Sequence, residues 1–200
     1  MTKTVSEIMH QEKYMTLTES VQVIKALIKI IGKMHEAGCF VPVLFPDKIQ
    51  IQEEKGEHRL IVDRSNFYSL YILPEQSDFE YQIAAVGFIS PEVALKDYSR
   101  IGKQSDYYSV VALFYYCLTG RKISRFQMFR SGIPDFADVI SRNNMSKNAV
   151  KILYRIFKKG LSPGLEKRYQ SLEQLEKDVL CFEECVEADK ENRHSRQDTI

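Results

Sequence analysis

Few residues in this 200-residue chain are of types and spacings that do chemistry. Cys39, Cys117, Cys181 and Cys185 are its four cysteines. Cys181 and Cys185 stand one helical turn apart, but no second pair and no histidine accompanies them, so metal-type spacing is lacking. They read as reduced thiols of a cytoplasmic protein. His35 lies near the end of an apolar-periodic stretch and reads as structural. Asp47 and Asp63 are the carboxylates flanking a short alternating segment. Asp63 is followed by Arg64, which makes it a poor Mg²⁺ ligand and a natural turn residue. The Ser and Tyr side chains of 66–73 could accept phosphate, yet no basic cluster lies nearby in sequence to receive one. Ordinary catalytic constellations are therefore thin.

Composition narrows the classes. The chain is 44% hydrophobic and 28% charged, with a formal net charge of +1. Those are the proportions of a globular domain, without the electrostatic footprint of a nucleic-acid or anionic-membrane binder. No apolar run reaches the roughly 20 residues of a membrane span. The opening residues are too polar for a signal peptide. One domain is the default at this length.

The elements that must position any site are mostly helical. Val23, Ile24, Leu27, Ile28, Ile30, Ile31 and Met34 recur at helical spacing, with Thr16 or Thr18 as the cap and Gly38 as the stop. Residues 49–63 alternate around a polar turn containing Gly56 and predict a hairpin. Residues 66–73 are apolar and aromatic enough to pack down or pair as a strand. Residues 107–118 are apolar on nearly every side, which predicts a helix buried all round, capped by Ser105 or Asp106 and closed by Gly120. A loop over 122–134 precedes helices over 135–141, 146–158 and 171–187, the last capped by Ser171 with Gln174 at its third position. The lead-in 1–15 reads as polar and weakly helical, and the tail 189–200 as disordered. The expected fold class is mainly α, with a small β-hairpin near 49–63.

Three segments in order carry a resemblance. Gly87-Phe88-Ile89-Ser90-Pro91-Glu92 resembles the box that closes the activation segment of protein kinases. Ser105-Asp106-Tyr107-Tyr108-Ser109 resembles the start of their central helix, and Leu118-Thr119-Gly120-Arg121 its end. Further boxes extend it. Met34-His35-Glu36-Ala37-Gly38 resembles the helix end before the catalytic loop, and Arg168-Tyr169-Gln170-Ser171 the late arginine box. The resemblance spans about residues 16–188 and implies the helical C-terminal lobe of a kinase fold (α+β by family). It also implies that Arg168 pairs with Glu92, and that Asp106 hydrogen-bonds the catalytic-loop backbone.

The same register implies lost chemistry. Pro46 and Ile49 align with the family's proline and apolar positions. Val43 then takes the place of the catalytic base, Phe45 that of the phosphate-facing lysine, and Lys48 that of the metal-ligand asparagine. Phosphoryl transfer needs a carboxylate to orient the attacking hydroxyl, and valine cannot do this. Lysine has only donors and cannot ligate Mg²⁺. Asp63 alone matches the metal aspartate; Arg64 and Ser65 do not match the Phe and Gly after it. No Gly-rich phosphate loop or small-lobe lysine is found in the chain.

The expectation is a catalytically inactive pseudokinase-like scaffold or regulator, not an enzyme, with no cofactor and no metal. It would bind a protein, either a kinase-like or signalling partner or a second copy, and neither nucleic acid nor membrane. Its candidate contact face is Phe40, Val43, Phe45 and Ile51 with Phe67, Tyr68 and Tyr71. The alternative is a phosphotransferase or nucleotide-binding protein completed by a partner chain, or one using Asp63 with a replacement carboxylate such as Asp47. A helical domain matching kinases by chance is the third reading. The initiating Met1 and polar tail favour a whole chain.

Overall fold

The computed structural model describes residues 2–40, 44–54, 57–62 and 86–197. Strand β1 (Thr2–Thr4) leads into helix α1 (Val5–Glu12), followed by α2 (Leu17–Glu36). Strands β2 (Ile49–Glu54) and β3 (Glu57–Val62) form the hairpin. Helices α3 (Pro91–Ala94), α4 (Lys103–Thr119), α5 (Arg125–Met128), α6 (Ala137–Asn143), α7 (Lys147–Gly160) and α8 (Leu172–Gln197) complete the described chain.

Helix α4 is the post of the fold. Fourteen of its residues are buried, from Ser105 to Thr119, so it has no solvent face. It forms as a helix because Gly120, in left-handed conformation at φ 70°, closes it. A Cβ on Gly120 would meet the Lys13 carbonyl at 2.4 Å, so only glycine fits between helix end and lead-in. The beginning differs from expectation. Gly102 is the cap, and Ser105 and Asp106 sit in the first turn. Ser105 still caps, since its hydroxyl accepts from the Gly102 N–H at 3.2 Å. It does so from inside the helix.

Around α4 pack the amphipathic helices α2, α6 and α7, and α8 lies against α2 and α7 and reaches α4 through Phe182. Thr16 caps α2 through a reciprocal bond pair with Glu19, and the buried face runs through Val21, Ile24, Leu27, Ile28 and Ile31. Phe157 of α7 is the aromatic hub: its ring lies 5.3 Å from Phe136, 5.5 Å from Tyr115 and 6.1 Å from Phe114. Phe182 of α8 closes on Phe114 at 6.0 Å. Such edge-on contacts are the favoured aromatic geometry.

The lead-in is more than the polar, weakly helical segment expected. Strand β1 pairs antiparallel with β2, Lys3 opposite Ile51, making a three-stranded sheet of order β1-β2-β3. A capping box of Thr4 and Glu7 starts α1, whose Val5 and Met9 are buried in the common core with Ile49 and Ile51. Three residues of strand are too short to show alternation, which is why the sequence reading missed it.

The tail also differs. Helix α8 continues to Gln197, ten residues past the expected end. No Gly or Pro interrupts 172–200, and Lys, Glu, Arg and Gln favour helix there. Asp189 accepts from the Ser146 N–H at 2.9 Å, at the start of α7, and Lys190 donates to Thr18 of α2. These bonds tie the extension to the bundle. The region expected as a loop over 122–134 contains the short helix α5, capped by Ser124.

Candidate functional site: a buried ion pair and the turn at Pro46

The most developed polar centre joins three segments. Glu92 is the second residue of α3, Ser105 lies in the first turn of α4, and Arg168 follows the turn between α7 and α8. Arg168 is fully buried and donates two parallel bonds to Glu92, Nη1 to Oε1 at 2.6 Å and Nη2 to Oε2 at 2.9 Å. The fork also donates to the carbonyls of Ser162 at 2.6 Å, Pro163 at 3.1 Å and Gln104 at 3.3 Å. Ser105 donates to the same carboxylate at 2.6 Å. A planar guanidinium is suited to this, since all its donors find acceptors without bending the fork.

Burial, the largest influence on Glu92, pushes its carboxyl up. The Arg168 guanidinium and the Ser105 hydroxyl outweigh it and hold the carboxyl below its usual range. Tyr108 lies under the guanidinium, 5.0 Å from ring centroid to Cζ, and burial pushes its phenol up. The Ser105 link was missed in sequence because a residue that looks like a cap can also bond across the fold.

A second polar pair lies at the end of α2. The His35 Nε2–H donates to Asp106 Oδ2 at 2.7 Å, with both side chains buried. The His35 ring also contacts Phe40 and Tyr107, at 5.6 and 5.8 Å. Asp106 sits in the first turn of α4, where the helix dipole favours a carboxylate. His35→Ala removes one partner of a buried carboxylate and is expected to cost about 1–3 kcal/mol in chemical unfolding. His35→Gln, which can still donate, is expected to recover part of that.

The positions expected to bear on phosphate chemistry are only partly described. Val43 and Asp63 lie outside the described residues, as do Phe67, Tyr68 and Tyr71. Phe45 is buried, 7% exposed, beside a 3-10 turn of Pro46–Lys48. Asp47 and Lys48 are exposed on that turn. Two residues of the expected contact face are corrected: Phe45 and Ile51 belong to the chain's own core. The reason is the lead-in, since α1 and β1 pack over β2 and the preceding turn. Phe40 is half-buried. Among the described residues, no three His, Cys, Asp or Glu side chains converge to hold a metal ion. The four cysteines are free thiols, and burial pushes Cys117 up to about 12. No described helix is long and apolar enough to cross a membrane.

A third network fastens α7 to α8. Arg155 donates to both oxygens of Asp178, at 2.7 and 3.1 Å, and Tyr169 donates to the same carboxylate at 2.8 Å. Each partner alone is an unremarkable surface-type residue in sequence; only the helix pairing brings them together.

No protein-family model and no curated protein sequence matches this chain. Solved structures do. The chain is similar to the Rad53 kinase domain with SCD2 at a TM-score of 0.63 and 12% identity, over 94% of this chain and 71% of that one. It is similar to the PknI kinase domain of Mycobacterium tuberculosis at a TM-score of 0.59 and 11% identity, over 89% of this chain and 61% of that one. A double mutant of that domain gives 0.56 and 12%, over 86% and 56%. At such identities the likeness is one of fold. The buried central helix, the helices around it and the small sheet are thus a mostly helical, kinase-like architecture of the C-lobe type.

Proposed function

We propose that this chain is a non-catalytic, pseudokinase-like module that works by binding another protein. The observation that carries this reading is a contrast. The polar contacts that hold a kinase-like lobe together are present, with Glu92, Ser105 and Arg168 fully bonded. The aligned positions for the catalytic base, phosphate and metal carry Val43, Phe45 and Lys48. A buried phenylalanine can neither bind phosphate nor be exchanged for solvent-facing lysine without opening the core. A lysine in place of a metal-ligand asparagine repels Mg²⁺. Selection for architecture without selection for phosphate handling is what an interaction module needs.

The partner in this reading is a protein, not a nucleic acid or a lipid surface, given a net charge of +1. The test is calorimetric titration and thermal shift with ATP and Mg²⁺. The expected outcome is neither heat nor shift up to millimolar nucleotide. A Mg²⁺-dependent shift that is lost in Asp63→Ala overturns the reading in favour of the alternative, a nucleotide-binding protein or phosphotransferase.

A further inference from the structure

A basic groove lies beside the turn that carries Arg168. It encloses about 690 Å³ between the segment after α5, the end of α7 and the turn before α8. Lys158, Lys159 and Lys167 line it, with Tyr154 and Ile133 as its apolar walls. This volume is that of a site for one side chain and its neighbours, within the range of ligand clefts.

Its lysines are not locked into ion pairs, although Glu166 lies on the same turn, folded over Gly164. None of the three lysines has a carboxylate within 4.0 Å among the described residues. Two of them lie against aromatic rings instead: Lys158 is 5.9 Å from the Tyr154 centroid and Lys159 is 4.4 Å from that of Tyr169. An ammonium held by a ring keeps its full charge for a ligand. The segment 131–133 that closes the groove, Ser131-Gly132-Ile133, brings no carboxylate to it. Three lysines of a chain of net charge +1 thus line one groove, against their mutual repulsion. An exposed aromatic accompanies them in the lining: Tyr154 is 47% exposed.

We propose that this groove docks an acidic peptide segment of a partner protein, with carboxylates on Lys158, Lys159 and Lys167 and an aromatic or aliphatic residue against Tyr154 and Ile133. Charge complementarity selects the partner's sign, and the apolar walls select a peptide over a simple anion. The site is independent of nucleotide, so it stands or falls separately from the reading above.

The test uses the full chain and a fluorescein-labelled glutamate peptide with one central phenylalanine, read by anisotropy. Saturable one-to-one binding that weakens with NaCl is expected. Lys158→Glu/Lys159→Glu/Lys167→Glu is expected to weaken it at least about tenfold, since each reversal replaces attraction by repulsion. Lys158→Glu/Lys167→Glu leaves the Lys159–Tyr169 contact in place and guards against misfolding; it and Tyr154→Ala are each expected to weaken binding severalfold. The control is Lys29→Glu/Lys33→Glu on α2, expected to bind as the parent does. Absence of probe binding overturns the proposal, as does an equal loss in the control. Binding of phosphatidylserine vesicles but not of the peptide overturns it in favour of a membrane. Salt-sensitive self-association that the groove variants abolish, without peptide binding, overturns it in favour of a second copy.

Discussion

Arg168→Ala is expected to lower the unfolding free energy by about 3–5 kcal/mol, read from urea or guanidinium melts. The size follows from what stays behind. Glu92 is 3% exposed and would keep its charge in a buried site with serine hydroxyls, Ser105 foremost, as its remaining side-chain donors. The carbonyls of Ser162 and Pro163 would lose their donor as well. Glu92→Gln is expected to cost less than Arg168→Ala. It leaves a buried guanidinium without its counter-charge but with its three carbonyl acceptors. The double variant Glu92→Met/Arg168→Met is expected to be more stable than the sum of the Glu92→Met and Arg168→Met losses predicts, because no orphan charge remains. Equal and additive losses would mean that the pair acts as two independent packing groups.

The same pair sets a pH dependence. The folded Glu92 carboxyl titrates below its usual value, so the folded state binds this proton less readily than the unfolded chain. Its contribution is fully present above the unfolded value of about 4.3 and is lost as pH falls through the lowered folded value. Wild type and Glu92→Gln are therefore expected to converge in stability as pH falls below about 4, and to differ by a constant amount above about 5. A gap that widens in acid would contradict the assignment.

Phe157→Ala is expected to cost a further large amount, about 3–5 kcal/mol. Phe157 is 0% exposed and sits among Phe114, Tyr115 and Phe136, with Phe114 passing the contact on to Phe182. Truncation leaves a cavity between α4 and α7 that rigid helices cannot close. Gly160, one turn later, already brings the α7 backbone against Val111, where an added Cβ would lie 2.4 Å from a methyl carbon. The two helices are thus as close as they can be at that end and cannot tilt inward to fill the void. Phe157→Leu keeps most of the volume and is expected to cost clearly less. Comparable losses for the two substitutions would show that the ring edges, not the packed volume, are decisive.

Much of the architecture was legible in the residues. The unbroken apolar character of 107–118 called for a helix with no solvent face, and α4 has none. The spacing from Val23 to Met34 called for α2, and Thr16 with Glu19 is a local device that caps in any context. The alternation after Ile49 called for the hairpin. Glu92 and Arg168 were named together only by the resemblance of their boxes. Nothing in the local sequence around either one foretells its partner 76 residues away.

Local signals determined helices, turns and caps, because propensity, periodicity and capping depend on neighbours within a few residues. Tertiary structure decided what depends on distant partners. It placed the lead-in as a third strand, since β1 is stable only against β2. It carried α8 through a polar tail, since Asp189 and Lys190 find Ser146 and Thr18. It turned Phe45 and Ile51 inward, since α1 and β1 cover them. It also drew three ordinary lysines from α7 and the next turn around one groove. Charge in sequence is a sum, whereas charge on a surface is a pattern, and only the packing of helices converts one into the other.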